Sequence, residues 1–421
     1  MIFQILNNRK KEILFFVLLL IIFYRSPHIL MHGRFAAEEG AKYFANAYKY
    51  GFFYSLFFIE YSSGYMNLWA NISASIANMF ILELAPLISN YLALIPKLLI
   101  FYFILYKESY LIVDFKYKIF FCLLILLSPF NVPEIWLNSI NSQIFFCILS
   151  FLLVLSKNDK SHINYLNLLI ILISGFTGLY TCILLPIFFY KYLNFKTLQD
   201  KYNLSILSFC TLFQFFILVK SKTNKILYLG KLHAVDLDLF FNYLYNVPVK
   251  AFLGRSFTQF IDLGSYINIK FIFLLIFILI LLIFFYLIYY FKKNSSLFSS
   301  KKFVINSLLY SFFSTSLFVM IGGTGQYVGG RYAALPSFYL ITIALFLATI
   351  VKNYNLKIFF HLVLFMSFVS GAYEFKDNSK FKKYLVCMDC PNWIHEVEKF
   401  RKDNSYRLKI WPYPKKTLNL N

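Results

Sequence analysis

Charge is what this chain has least of. Asp and Glu together number 19 in 421 residues, and all charged residues make up only 14%. A soluble domain carries about a quarter of its residues as charges, so the polar surface that keeps a globule in water is missing. A soluble enzyme is therefore excluded. With 15 Gly and 11 Pro, no low-complexity linker is present, and no internal repeat is visible. Of the six cysteines, Cys122, Cys147, Cys182 and Cys210 fall in apolar segments, where a thiol behaves as a small hydrophobe. Cys387 and Cys390 form a C-M-D-C in a polar tail with only His395 nearby. A structural zinc wants four ligands, so a local disulfide or two unpaired thiols is the expectation there.

What fills the chain instead is apolar: 60% hydrophobic and 21% aromatic residues, with a mean hydropathy of +0.64. These residues come in blocks near the length of about twenty that crosses a bilayer. The blocks lie around residues 13–23, 119–128, 144–155, 204–219, 271–291, 303–321, 332–350 and 358–369. The expected fold is all-α, a polytopic integral membrane protein with about 11 transmembrane helices.

The net charge of +22 does not indicate nucleic acid, because Lys and Arg sit in short clusters between apolar blocks. Arg9-Lys10-Lys11, Lys157 with Lys160, Lys292-Lys293, Lys301-Lys302 and Lys352 with Lys357 have the pattern of cytoplasmic loops. The apolar run after Lys11 ends at Arg25-Ser26-Pro27 without a small-x-small cleavage site, which reads as an uncleaved anchor with a cytoplasmic N-terminus.

The expected organisation is a transmembrane domain over 1–373, with a first outer loop at 33–64 and a large loop at 221–265, then a short polar tail at 374–421. An odd span count puts the tail outside, although Lys376, Lys380, Lys382 and Lys383 favour the cytoplasm. Two alternatives stay open. Two spans between residues 65 and 106 would strand Lys107, Lys116 and Lys118 outside, so either one segment only dips into the membrane or the positive-inside rule is weak at this loop. Residues 166–190 read as one helix broken near Gly175 and Gly178 or as two short ones.

Three clusters could carry chemistry. The first outer loop holds Arg34, then Glu38 and Glu39, then a stretch 41–50 with Phe44 and Tyr48 on one face, which suits an interfacial helix. Adjacent carboxylates at a membrane boundary could act as a general base or ligate a metal, or merely occupy a helix N-terminus. The second cluster is the glycine-rich run 322–330 with Arg331 and Tyr332. Exposed backbone N–H groups beside an Arg suit a phosphate, and an Arg snorkelling at the interface fits equally. The third cluster is Glu134, Trp136, Asn138, Asn141 and Gln143, suited to sugar hydroxyls and ring stacking or to an interfacial turn with a Trp anchor. Lys231, His233, Arg255 and Asp262 in the large loop are more ambiguous.

The order GRFAAEEGAKYF, PEIWLNSINSQ, GGRYAALPS resembles bacterial membrane glycosyltransferases of the GT-C superfamily. The tail segments around Trp393-Ile394-His395-Glu396 and Ile410-Trp411-Pro412 are similar to tails in relatives of such proteins. The resemblance implies a multi-span enzyme of the cytoplasmic membrane with an acidic catalytic residue in the first outer loop. Its substrates would be a sugar carried on polyprenyl phosphate and a glycan or lipid acceptor at the outer face. Glu38-Glu39 stands where many members have one Asp, and Glu39 is the preferred base. Arg331, with Arg34 or Arg255, would hold the leaving phosphate. A divalent cation, Mg2+ or Mn2+, is compatible with this chemistry but not indicated by the spacing. The rival readings are a flippase or transporter for lipid-linked glycans, for which Glu83 and His361 are the nearest mid-membrane ionisable residues, and a polysaccharide polymerase or ligase using the large loop.

Overall fold

A computed structural model describes residues 2–158, 162–223, 237–255, 299–322, 328–377, 392–412 and 416–421. The apolar block 271–291, Lys292, Lys293, most of the large loop with Lys231, His233 and Asp262, the glycines 323–327, and Cys387 and Cys390 lie outside the described residues.

The described chain is mostly helical. It runs α1 (Ile2–Arg25), α2 (Pro27–His32), a π-helical turn (Glu39–Phe44), α3 (Ala45–Tyr50), α4 (Phe52–Leu56), α5 (Leu68–Ala77), α6 (Ala85–Tyr106) and α7 (Phe115–Leu127). It continues through α8 (Ser142–Leu155), α9 (Tyr165–Phe176), α10 (Leu185–Phe195), α11 (Leu198–Thr223) and α12 (Leu237–Leu244). Then come α13 (Ser299–Gly322), α14 (Ala334–Ile350), α15 (Tyr354–Asp377), α16 (Trp393–Lys402) and the hairpin β1 (Leu408–Ile410) with β2 (Lys416–Leu418). Five of these segments, Ala85–Tyr106, Leu198–Lys222, Ser300–Gly322, Gly330–Ile350 and Tyr354–Phe375, are long and apolar enough to cross a membrane. Shorter apolar helices stand beside them. All-α and multi-pass is therefore the architecture.

The bundle is apolar both at its centre and on its outside. α8 and α14 form its centre and are buried along nearly their whole length. The outer helices expose large apolar side chains, among them Phe16 on α1, Leu212 and Phe216 on α11 and Phe365 on α15. Only a hydrocarbon solvent makes that exposure favourable. Polar pairs hold the ends. At one face, buried Lys191 of α10 meets buried Asp200 of α11 at 3.1 Å, and the same ammonium donates to the carbonyls of Leu153 and Ser156 closing α8. Such an ion pair holds when its remaining hydrogen bonds are satisfied, and Thr197 and Asn158 supply them to Asp200.

The opposite face carries a cap made of the first loop and the tail. Ala37 N–H donates to the Trp411 carbonyl at 2.7 Å, and Trp411 N–H to the Phe35 carbonyl. Arg401 pairs with Glu83 at 2.8 Å, and Trp393 Nε1 donates to the Leu82 carbonyl. A second hydrophobic core, with Phe35, Phe44, Val397, Phe400 and Ile410, fills the space between them. The first loop and the tail therefore share one end of the molecule.

Two ambiguities of the sequence resolve. α5 lies within the cap layer, because Asn71 donates to the carbonyls of Leu56 and Phe58 and Asn78 to that of Ala47. Between residues 65 and 106, α6 alone then runs from the cap to the far end, and Lys107 and Lys118 fall on the face opposite the cap. Residues 166–190 form two helices, α9 and α10, separated by a turn at Gly178. The stretch 41–50 is corrected. Phe44 and Tyr48 do share a face, but Phe44 is buried in the cap core and Tyr48 packs edge-on against Phe400. The tail supplies an apolar partner that the interfacial reading assigned to lipid.

Candidate functional site

Glu38 and Glu39 begin one helical turn, so their side chains diverge by about 100°. Glu39 points inward and is 1% exposed. One carboxylate oxygen accepts hydrogen bonds from Ser89 Oγ (2.8 Å), Ser139 N (2.8 Å) and Ser139 Oγ (2.6 Å), and the other from Ala36 N (3.0 Å). Burial raises its pKa from the ordinary carboxylate value, against the opposing pull of these donors. Both oxygens are thus committed to tying the first loop to α6 and to the 133–143 turn. Glu39→Gln keeps the shape but turns an NH2 toward a donor. Leaving one buried donor unmet costs about 1–3 kcal/mol, so the variant should melt several degrees lower in detergent.

Glu38 points the other way. It is half-buried, and Lys416 of β2 donates to its Oε1 at 3.2 Å. Burial pushes its pKa up, but backbone hydrogen bonding, Lys416 and the charge of Arg331 outweigh this and leave it lowered. Glu38 is an ionised carboxylate at neutral pH.

Arg331 enters from the start of α14. Its Nη2 donates to Tyr332 Oη at 3.1 Å, and the guanidinium lies 5.1 Å from that ring's centroid. Its backbone N–H faces Glu134 Oε2 at 3.4 Å. Gly330 makes this approach feasible: its φ is +57°, and a Cβ there would sit 2.8 Å from Glu134 Oε2. Tyr65, Tyr180 and Glu134 are within electrostatic reach of the same guanidinium. Gln143 Nε2 donates to Tyr65 Oη at 3.4 Å. Burial raises the Tyr65 hydroxyl pKa, with Gln143 and Arg331 opposing. The result is a cluster of tyrosines under the cap, with the Glu38 carboxylate and the Arg331 guanidinium in electrostatic reach of each other.

Of the residues singled out in the sequence, Glu38, Glu134, Gln143, Arg331 and Tyr332 gather here. Others do not. Trp136 is fully buried, its ring occupied by the Arg25 guanidinium (4.1 Å to the centroid) and the Lys97 ammonium (3.5 Å), so no sugar stacks on it. Asn138 and Asn141 are also buried, and both donate to the Glu134 carbonyl. They shape the turn rather than face a ligand. Arg34 exchanges backbone hydrogen bonds with Asn90 and places its charge near His28. Arg255 lines a separate small cleft with Arg25, Lys250, Glu374 and residues of the 128–133 turn, its backbone N–H bonded to Glu374.

Tyr65, Tyr180 and Lys416 escaped the sequence reading. Nothing distinguishes two tyrosines among 33, or a tail lysine, until the chain is folded. Among the described residues no three His, Cys, Asp or Glu side chains gather to hold a metal. No protein-family model, curated protein or solved structure matches this chain.

Proposed function

We propose that the chain is a GT-C-type glycosyltransferase, moving a sugar from a polyprenyl-phosphate donor to an envelope glycan or lipid at the outer face of the cytoplasmic membrane. The observation that carries this reading is the meeting of ionised Glu38 and Arg331 in one cluster of tyrosines. Glu38 takes the proton from the acceptor hydroxyl. The oxygen attacks the anomeric carbon, the bond from that carbon to the phosphate oxygen breaks, and Arg331 stabilises the charge gathering on the departing phosphate. Glu134, exposed beside Arg331, would hydrogen-bond sugar hydroxyls, with Gln143 holding the Tyr65 hydroxyl. The test is transfer from radiolabelled polyprenyl-phosphate sugars by the protein in proteoliposomes. A parent protein that transfers from none of them overturns the reading.

The orientation rests on the short connections between helices, because the first loop and the tail that build the cap carry Lys and Arg of their own, among them Lys42, Lys49, Arg401 and Lys416. Five described segments are long and apolar enough to cross the bilayer, and in this reading α1 and the shorter helices α7 to α10 pass between the cap end and the far end beside them. The far connections carry Lys107, Lys116, Lys118, Lys157, Lys196 and Lys352, while 128–141 and 177–184 at the cap end have neither Lys nor Arg. Positive loops stay inside, which puts the cap outside. Cysteines placed at exposed Ser62 and Ser405 should react with an impermeant maleimide in intact cells, and those at Lys116 and Lys352 only after permeabilisation. The reverse pattern inverts the orientation.

One observation favours transport instead. Lys97 of α6 is 4% exposed, and its ammonium makes no hydrogen bond. Arg25 is buried beside the same Trp136 ring. Ionisable groups inside a bundle mark substrate pathways in transporters. Glu83 and His361, the residues first suggested for such a role, bond Arg401 and Tyr117 instead. Vesicles that move a lipid-linked glycan across the bilayer but show no transfer would establish the transport reading.

A further inference from the structure

α4 has its amphipathicity reversed. Ser55, its one small polar residue, is buried and donates to Asn46. Phe53 is 80% exposed, Tyr54 is 61% exposed, and Phe57 just beyond is 73% exposed. A helix resting on protein in water shows the opposite pattern. The segment after α5 repeats the inversion. Leu82 joins the cap core, while Met79 and Ile81 are 70% and 62% exposed. The two segments lie side by side, because Ser75 donates to the Phe52 carbonyl and Asn78 to that of Ala47. Together they form an apolar patch on a cap that otherwise carries ion pairs on its surface.

Contiguous exposed apolar surface marks a lipid or protein contact, and continuity decides between them here. Leu84, Tyr91, Ile95 and Tyr102 are all exposed, and their spacing of seven, four and seven residues places them on one helix face. That stripe runs down α6, a helix long and apolar enough to cross the bilayer, so it faces acyl chains. The patch begins where the stripe ends. The Tyr50 and Tyr54 rings pack tilted against each other at its edge with Lys49 nearby, the mix of aromatic and basic groups that sits at headgroup depth.

We propose that α4 and residues 79–81 form a foot inserted into the headgroup–acyl boundary of the leaflet on the cap side. The foot is a lipid contact, not a second copy of the chain or another protein. It holds the first loop, and with it Glu38, at the level where a lipid-linked molecule presents its head.

The test is spin-label accessibility in phosphatidylcholine–phosphatidylglycerol nanodiscs. Single cysteines at positions 53, 80 and 62 are labelled in the full chain after its native cysteines are replaced. Labels at 53 and 80 should be relaxed more strongly by oxygen than by a water-soluble nickel chelate. The label at 62, on the polar side of the loop, should show the reverse. Water-like behaviour at 53 and 80 overturns the proposal, and so does shielding from both relaxants, which would mean that protein covers the patch. The readout needs no activity, so its failure is separate from failure of the transferase reading.

Discussion

Glu38→Gln should lower transfer turnover by about 10²–10⁴-fold, the usual worth of a general base, while leaving the melting temperature within a degree or two of the parent. Gln preserves size and hydrogen bonding but cannot take the acceptor proton. The stability side follows from geometry. Glu38 is half-buried with a partly exposed ion pair to Lys416, and such pairs contribute about 0–1 kcal/mol. The neighbouring Glu39 variant should show the opposite profile, a lower melting temperature with activity lost only as far as the fold is lost. The pH dependence separates them further. Because the Glu38 pKa is lowered, kcat/KM should hold as pH falls past the ordinary Glu value and drop only below it. If Glu38→Gln keeps near-parental turnover with the same donor and acceptor, the base role is wrong.

The sequence identified the acidic pair but not which member turns toward Arg331, because that choice depends on Ser89 and Ser139, 50 and 100 residues away. Helix-forming blocks were legible from hydropathy alone, since burial in lipid and burial in protein ask for the same side chains. Two signals were present but unread. Asn67, Asn71, Ser73, Ser75 and Asn78 crowd into one short segment, more polar groups than a spanning helix tolerates, and they mark α5 as part of the cap. Lys97 interrupts an apolar run, and such a residue belongs against the bundle interior. The cap itself was not legible. Its core joins Phe35 and Phe44 to Val397 and Phe400 across some 350 residues of chain, with no local pattern to show it. The same contacts bring Lys416 to Glu38.

Arg331 should be the residue whose charge and shape both matter. Its guanidinium rests against the Tyr332 ring and hydroxyl, so the charged end is aimed by stacking as well as by hydrogen bonding. A leaving phosphate gathers negative charge as the bond from the anomeric carbon breaks, and a planar fork meets two of its oxygens at once. Arg331→Ala removes that contact and should cost about 2–4 kcal/mol, which is roughly 30- to 1000-fold in kcat/KM at 1.4 kcal/mol per tenfold. Arg331→Lys keeps the charge but loses the fork and the stacking, so it should fall between Ala and the parent. Gly330 tests the same geometry from the backbone. Adding a Cβ at φ +57° strains the chain and crowds Glu134, so Gly330→Ala should displace Arg331 and weaken donor use without touching its charge. The measurement is steady-state transfer with donor varied at saturating acceptor, alongside melting temperature for each variant. If Arg331→Ala and Arg331→Lys both match the parent in donor affinity and turnover, Arg331 is an interfacial anchor and the phosphate is held elsewhere. The cleft lined by Arg25, Lys250 and Arg255 would then be the next place to look.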